Sequence, residues 1–356
     1  MTRRNYLLTA AKRASEVIHD FAVKQRIAEG YTRIDPAVIA SEADVTVMYR
    51  PFDQLLGGFL REGGASGIIV NVARPRGLVH MTCAHELGHY FLGHESTTDK
   101  TVDHGAVALL VEQQANYFAY SLLAPQWLVV ATMKRKGWKR TDLPDPSVVY
   151  QLSLRLGTSF TATVWSLVRL GFLSNDTAEH LAKHTPKHIK QEPLGGLDLV
   201  DPNADVWVLD ASDRDQVLEP GCGDQFVVDL PNHAGAGYLW SIDELRSEGF
   251  VLKPFVRDAR TISQPRHEDV LVGGSVATTR YALHSPESLR AGDQASDGNV
   301  PVCPKRHVIS VCETTPWSLM RESNDTFSLG AEFDVIKDGF SQPERERRIA
   351  AARDIQ

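Results

Sequence analysis

The sequence predicts an α+β protein, with a helical N-terminal half that carries a small sheet and an all-β C-terminal half. Three observations carry this. Apolar residues recur at helical spacing over most of the chain up to Leu181. The composition then shifts at 183–197, where prolines, glycines and lysines interrupt any apolar face. Beyond it, short runs rich in β-branched and aromatic residues alternate with turn-forming segments. A length of 356 residues exceeds one ordinary core, so two or three domains are expected.

Taken in order, residues 5–29 read as one helix, with Leu7, Ala11, Ala14, Ile18 and Phe21 at spacings of four and three. Asp35-Pro36 starts a short helix, the Asp as cap and the Pro in the first turn. VTVMYRPF (45–52) and SGIIVNVA (66–73) read as strands. Residues 76–94 and 105–123 read as helices, the second stopping before Pro125. SVVYQLSLRLG (147–157) and SFTATVWSLVRLGFL (159–173) form a helix-turn-helix outline hinged at Gly157-Thr158, with Ser159 as a cap. Residues 183–197 are assigned to a linker. The strands DVWVLD, DQFVVDL, YLWSI, VLVGGSVATTRYALH, RHVISVC and DTFSLGAEFDVI then suggest a sandwich or barrel. The charged residues 341–356 are expected to be a solvated tail or a short helix.

Hydrophobic content of 42% and charged content of 23% are those of a soluble globular chain. A net charge of −7 argues against direct nucleic-acid binding, which needs clustered Lys and Arg; Arg155 and Arg169 are the notable cations of the helix-turn-helix segment. The N-terminal apolar run is broken at once by Lys12, Arg13 and Glu16, and no stretch is long enough for a membrane span, so a cytoplasmic location without membrane attachment is expected. Cys83, Cys222, Cys303 and Cys312 form no CxxC pair and are read as free thiols. Cys83 precedes the motif described next, but points to another helix face and is assigned to core packing.

The chemistry concentrates in His85-Glu86-Leu87-Gly88-His89. On a helix, residues four apart differ by about 40° in azimuth, so both imidazoles share one face and can bind one ion. Glu86 sits beside the first ligand, where its carboxylate can hold a water and act as general base. A catalytic zinc needs a third protein ligand and an open position. Glu112 is the best candidate, on a helix whose Ala115, Ala119 and Leu122 allow close packing against Gly88. Asn116, one turn on, is suited to orient Glu112 or a ligand histidine. Glu95 and Asp103 are weaker third ligands; His94 and His104 are read as caps or surface residues. His180, His184 and His188 repeat the spacing of four, but Pro186 interrupts it and no acid or cysteine completes a set. The predicted site is therefore Zn²⁺ on His85, His89 and Glu112, with Glu86 as base. Strand 66–73 is a candidate to align a peptide by strand addition, and Tyr117 and Tyr120 are candidate oxyanion donors.

These segments resemble the ImmA/IrrE family of metallopeptidases. The resemblance rests on HELGHYFLGH (85–94), the ExxANxFAxxLLxP pattern from Glu112 to Pro125, SGIIVNVA (66–73) and the helical stretch 149–173, and covers roughly residues 15–180. It implies a zincin-like fold, the same metal ligands and base, and cleavage of a helix-turn-helix transcriptional repressor in stress response or mobile-element control. Ala124 departs from the family's usual Met. LPNHAGAGYLW (230–240), VGGSVATTRYAL (272–283) and TTPW (314–317) resemble the three loops of chagasin-like cysteine-peptidase inhibitors. That implies an immunoglobulin-like sandwich and a protein partner at loops 232–240, 272–280 and 314–317. The first loop keeps Gly237-Tyr238 and Trp240, and Thr315 stands where Arg is usual. Tyr238, Trp240 and Trp317 also suit a sandwich core.

The expected organisation is a peptidase domain at 1–140, a helix-turn-helix-like segment at 141–182, the linker, a β-sandwich at 198–340 and the tail. The rival functions are a regulatory or sensor protein with a structural metal, a DNA-binding regulator and a cysteine-peptidase inhibitor.

Overall fold

The computed structural model describes residues 3–95, 106–195, 198–199, 201–255, 278–286, 289, 306–317 and 323–353. Cys303, Asp103, His104 and most of the 272–280 loop lie outside them. The chain is a mixed α+β protein whose two compact units divide at Thr185/Pro186 and again at Asp334/Val335.

The first unit begins with α1 (Arg3–Asp20) and α2 (Val23–Ala28), where one helix was expected. The break falls at Ala22, which adopts a left-handed φ of 46° as the N-cap of α2. Apolar spacing continues across the break, so periodicity alone does not show it. In α3 (Pro36–Glu42) the Asp35 carboxylate accepts from the Ala37 amide at 2.8 Å, with Pro36 at the first helical position.

A four-stranded sheet follows, built from β1 (Val45–Arg50), β2 (Gly57–Glu62), β3 (Ala65–Asn71) and a short strand from the chain's return near residue 339. Strand β3 lies between β1, parallel to it, and β2, antiparallel to it. It therefore has no free edge, which overturns its expected role in strand addition; β2 is the edge. Strand β2 is absent from the sequence expectations, although Gly63-Gly64 between Glu62 and Ala65 is a two-residue hairpin signal, with φ of 57° and 88°. Asn71, 1% exposed, pins the loop before β2. Its amide donates to the carbonyls of Phe52 and Leu55 at 2.7 and 2.6 Å, and its carbonyl accepts from the amides of Phe52 and Ala73.

Helices α4 (Arg76–Leu92) and α5 (Ala106–Leu123) pack together, α1 lies on α5, and the sheet lies on α4. Then come α6 (Gln126–Lys136), α7 (Pro146–Leu156), α8 (Phe160–Arg169) and α9 (Asn175–Leu181). Gly157 ends α7 at φ 66° and Ser159 caps α8 through the Ala162 amide at 3.2 Å. This turn packs on the start of α4. A Cβ at Gly77 would lie 2.6 Å from the Ser159 nitrogen, and the His80 ring meets the Gly157 carbonyl at 3.2 Å. The helix-turn-helix outline thus buttresses α4.

In the second unit, the segment assigned to a linker forms α10 (Pro186–Leu194). Pro186 opens this helix rather than interrupting one, because a proline at the first position loses no helical hydrogen bond. Ile189, Lys190 and Leu194 are buried. The Lys190 ammonium donates to the Ala204 carbonyl at 2.7 Å and lies 3.1 Å from Asp205. Leu194 packs with Val206 and Val227.

The strands of this unit are β4 (Val206–Asp210), β5 (Val217–Leu218), β6 (Gln225–Pro231), β7 (Leu239–Ile242), β8 (Val251–Pro254), β9 (Thr278–His284), β10 (His307–Thr314) and β11 (Ser323–Ala331). They form two four-stranded sheets, ordered β5-β11-β10-β7 and β4-β6-β9-β8. Alternation in β11 buries Phe327, Leu329 and Ala331.

The chain then returns to the first unit. Strand β12 (Gly339–Phe340) pairs antiparallel with β1, and α11 (Gln342–Arg353) packs on α3. The tail is a docked helix: Glu344 is fully buried, with Arg347 and Arg348 at 2.9 and 2.6 Å. Of the described cysteines, Cys83 and Cys222 are buried and Cys312 is half-buried; all are free thiols. Burial pushes the Cys83 thiol well up. Among the described residues no helix is long and apolar enough to cross a membrane.

Candidate metal centre

The site is made where α4 and α5 come closest. Gly88 allows this approach: a Cβ there would lie 3.1 Å from both Cα and O of Ala115 and from the Phe118 ring. Ala115, Phe118, Ala119 and Leu122 are fully buried along the same contact. The result sets Glu112 across from the histidine pair. His85 Nε2 lies 3.1 Å from His89 Nε2. Glu112 Oε2 lies 3.2 Å from His85 Nε2, and Oε1 lies 3.5 Å from His89 Nε2. Among the described residues these three alone form a cluster of metal-ligating side chains, with all donor atoms within 4.8 Å.

The donor set fits a divalent cation. At bond lengths of about 2.0–2.1 Å a tetrahedral ion spaces its ligand atoms by roughly 3.3–3.4 Å, close to the separations found. Two nitrogens and a carboxylate facing one point are neutralised best by a shared cation.

The electrostatics agree. Burial, and then the neighbouring His85, hold the His89 imidazole down to about 3, so its ring is neutral at pH 7, the form a metal requires. Burial also pulls His85 down, but the hydrogen bond its ring N–H donates to Glu112 and the charges of Glu86 and Glu112 outweigh it and raise the group. The contact with His85 lowers the Glu112 carboxyl against an opposing effect of burial. The cluster thus favours positive charge between His85 and Glu112.

Glu86 is 5% exposed and lies on α4 beneath the start of β2. A Cβ at Gly57 would sit 3.2 Å from Glu86 Oε1 and 2.5 Å from Thr82 Cγ2, so only glycine lets the strand pass this close. Asn116 Oδ1 lies 3.2 Å from His85 Nδ1, so it holds the ring of a candidate ligand. Tyr117 and Tyr120 instead carry the Arg169 guanidinium over their rings at 5.8 and 4.0 Å. Glu95 is exposed and outside the cluster. The His180 and His184 rings lie 5.4 Å apart, and among the described residues no acid joins them in a ligating cluster.

His94 departs from its expected surface role. Its Nδ1 lies 3.1 Å from His89 Nδ1 and its Nε2 3.3 Å from Gln114 Oε1. The reason is Gly93, left-handed at φ 72°, which ends α4 and turns the chain so that the His94 amide reaches the His89 carbonyl at 3.0 Å. A continued helix would have carried His94 to another face; the glycine before it was the available signal.

In the β-unit, Trp240 is buried and donates from Nε1 to the Pro231 carbonyl at 2.7 Å, as a core residue does. Trp317 is 72% exposed and covers Gly237, where an added Cβ would meet its ring at 2.4 Å. Loops 232–240 and 314–317 therefore meet. His233 Nδ1 anchors the first at 2.8 Å from the buried Glu313 carboxylate.

Comparison with known proteins agrees with the first unit. Residues 40–163 match the Peptidase_M78 family, described as the IrrE N-terminal-like domain. No curated protein matches the chain. A solved structure of the cysteine protease inhibitor EhICP2 from Entamoeba histolytica is similar at 12% identity and a TM-score of 0.23, over 36% of this chain and 94% of that one.

Proposed function

From the premise that residues 40–163 form an IrrE N-terminal-like peptidase domain, we propose that the protein is a zinc-dependent endopeptidase. Its proposed ligands are His85, His89 and Glu112, and its general base is Glu86. The observation that carries this is the convergence of the three donor groups with a carboxylate one residue from the first of them. Two imidazoles and one carboxylate are a zinc donor set that leaves a coordination position for chemistry, whereas a structural zinc site usually has four protein ligands. The resemblance to the ImmA/IrrE family supports a helix-turn-helix transcriptional repressor as substrate.

A bound zinc ion would supply Lewis acidity toward the scissile carbonyl and acidify the attacking water. The Glu86 carboxylate takes the proton of that water and delivers it to the leaving amine nitrogen. Its burial beneath Gly57 limits its motion and its solvation. Strand β2 pairs on one side only among the described strands and runs over Glu86 at Gly57. It offers an edge on which an extended substrate peptide can add a strand.

The test is Glu86→Gln, which keeps the shape and removes the base. It should bind zinc with wild-type stoichiometry and affinity while cleavage of a repressor substrate falls by at least about 10²-fold, a typical general-base contribution. Cleavage by the variant at the wild-type rate removes Glu86 from the mechanism.

A further inference from the structure

A line of polar contacts runs from the far side of His89 to the N-terminal helix, and its proton positions can be assigned from its end. The Tyr6 carbonyl oxygen only accepts, so Gln114 Nε2 is the donor across their 3.2 Å contact. That orients the amide and leaves Gln114 Oε1, which only accepts, 3.3 Å from His94 Nε2. His94 Nε2 therefore carries a proton. In neutral His94 the lone pair is then on Nδ1, which faces His89 Nδ1 at 3.1 Å. His89 must donate there, and its own lone pair is left on Nε2, facing His85 and Glu112.

We propose that His94 and Gln114, anchored on the Tyr6 carbonyl, form a hydrogen-bond relay that fixes His89 in the Nδ1–H tautomer and sets its ring for metal binding. His94 is a positioning residue. It touches the ligand, not the ion. The inference deepens the metal reading and rests on it. His85 is served directly, since Asn116 Oδ1 accepts from its Nδ1–H at 3.2 Å. Both ligand rings are thus oriented from α5, which also supplies Glu112: one by a single contact, the other through His94. Gln114 is 9% exposed, His94 is half-buried, and the rings of His89 and His94 meet at 69°. Partners that orient ligand histidines contribute about 10–100-fold to metal affinity.

The experiment is a zinc titration of the full chain against a chromophoric chelator, for wild type, His94→Phe, Gln114→Met and His94→Gln. Long-range ¹H–¹⁵N histidine spectra of the zinc-loaded wild type accompany it. Zinc Kd should rise about 10–100-fold in His94→Phe and Gln114→Met. It should stay within a few-fold of wild type in His94→Gln, whose amide can accept from His89 and donate to Gln114. The spectra should place the protons on His89 Nδ1 and His94 Nε2, which mere packing by His94 would not require. Unchanged affinity in His94→Phe overturns the relay, as does a proton on His94 Nδ1; the spectra need no variant to fold. A wild-type chain that takes up no zinc is a different result, sinking the metal reading and the relay together.

Discussion

At the scale of single residues, chemistry and space compete around Glu86. Its carboxylate is almost wholly buried one residue from His85, and β2 passes close enough that Gly57 has no room for a side chain. Added at Gly57, a methyl would stand 2.5 Å from Thr82 Cγ2 and 3.0 Å from the Ile69 carbonyl, and neither short group can swing away. Either β2 lifts or the Glu86 side chain shifts. Overpacking of this kind costs about 1–3 kcal/mol, and a shift of about 1 Å in a catalytic group can cost on the order of 10²-fold in rate. Gly57→Ala should therefore lower turnover far more than it lowers zinc affinity, because the added atom points at Glu86 and Thr82. Parallel measurements of cleavage rate and zinc binding check this; an equal loss of both would mean that the strand moves as a whole and drags the site with it.

At the scale of elements, the site depends on one helix contact. His85 and His89 come from α4 and Glu112 from α5, and these helices meet through Gly88 and Ala115. A Cβ on residue 88 must fit within 3.1 Å of α5 backbone atoms that cannot rotate away, so the helices must part. Gly88→Ala gains helix propensity of about 0.8–1.0 kcal/mol, yet it should lower stability by about 1–2 kcal/mol net and weaken zinc binding as Glu112 retreats. Chemical denaturation and a zinc titration read the two effects; a more stable variant would show that the contact has slack. Much of this region was legible in the sequence because local signals agree there: the His spacing, the small residues of α5, the Asp35 and Ser159 caps and the glycine at the α7–α8 turn. What was missed follows from signals that conflict or are weak. Strand β2, GGFLRE, lacks β-branched residues and is held by its hairpin and by Asn71. The α1–α2 break leaves the apolar period intact. Helix α10 looked like a linker because its prolines and lysines mask Ile189 and Leu194, and Lys190 is buried only because tertiary contacts neutralise it. The place of His94 is hidden because a helix over 76–94 is expected, whereas α4 ends at Gly93.

At the scale of the whole chain, the first compact unit is not continuous in sequence. It uses residues up to Thr185 and again from Val335, so the β-unit interrupts its chain between those points. The returning segment is integral to the fold. Strand β12 extends the sheet beside β1, with Met48 opposite Phe340 and Tyr49 opposite Gly339, and the Ser341 amide reaches the Val47 carbonyl at 2.9 Å. Arg347 pairs with Asp44 next to β1, and Arg348 covers the Phe340 ring at 4.0 Å while holding the buried Glu344. Exposed ion pairs here contribute little; the backbone pairing and the buried carboxylate with its two arginines carry more, since unpairing a buried charge is strongly unfavourable. A chain ended after Asp334 leaves β1 as an open edge and uncovers the face of α3 that α11 packs against. It should unfold at a lower temperature than the full chain and aggregate more readily, as expected for an exposed strand edge. Because β1, β3 and α4 share one core, its zinc affinity should fall as well. Thermal melts and zinc titrations of the two chains decide it: equal melting temperatures would mean that β12 and α11 only rest on a sheet that is complete without them.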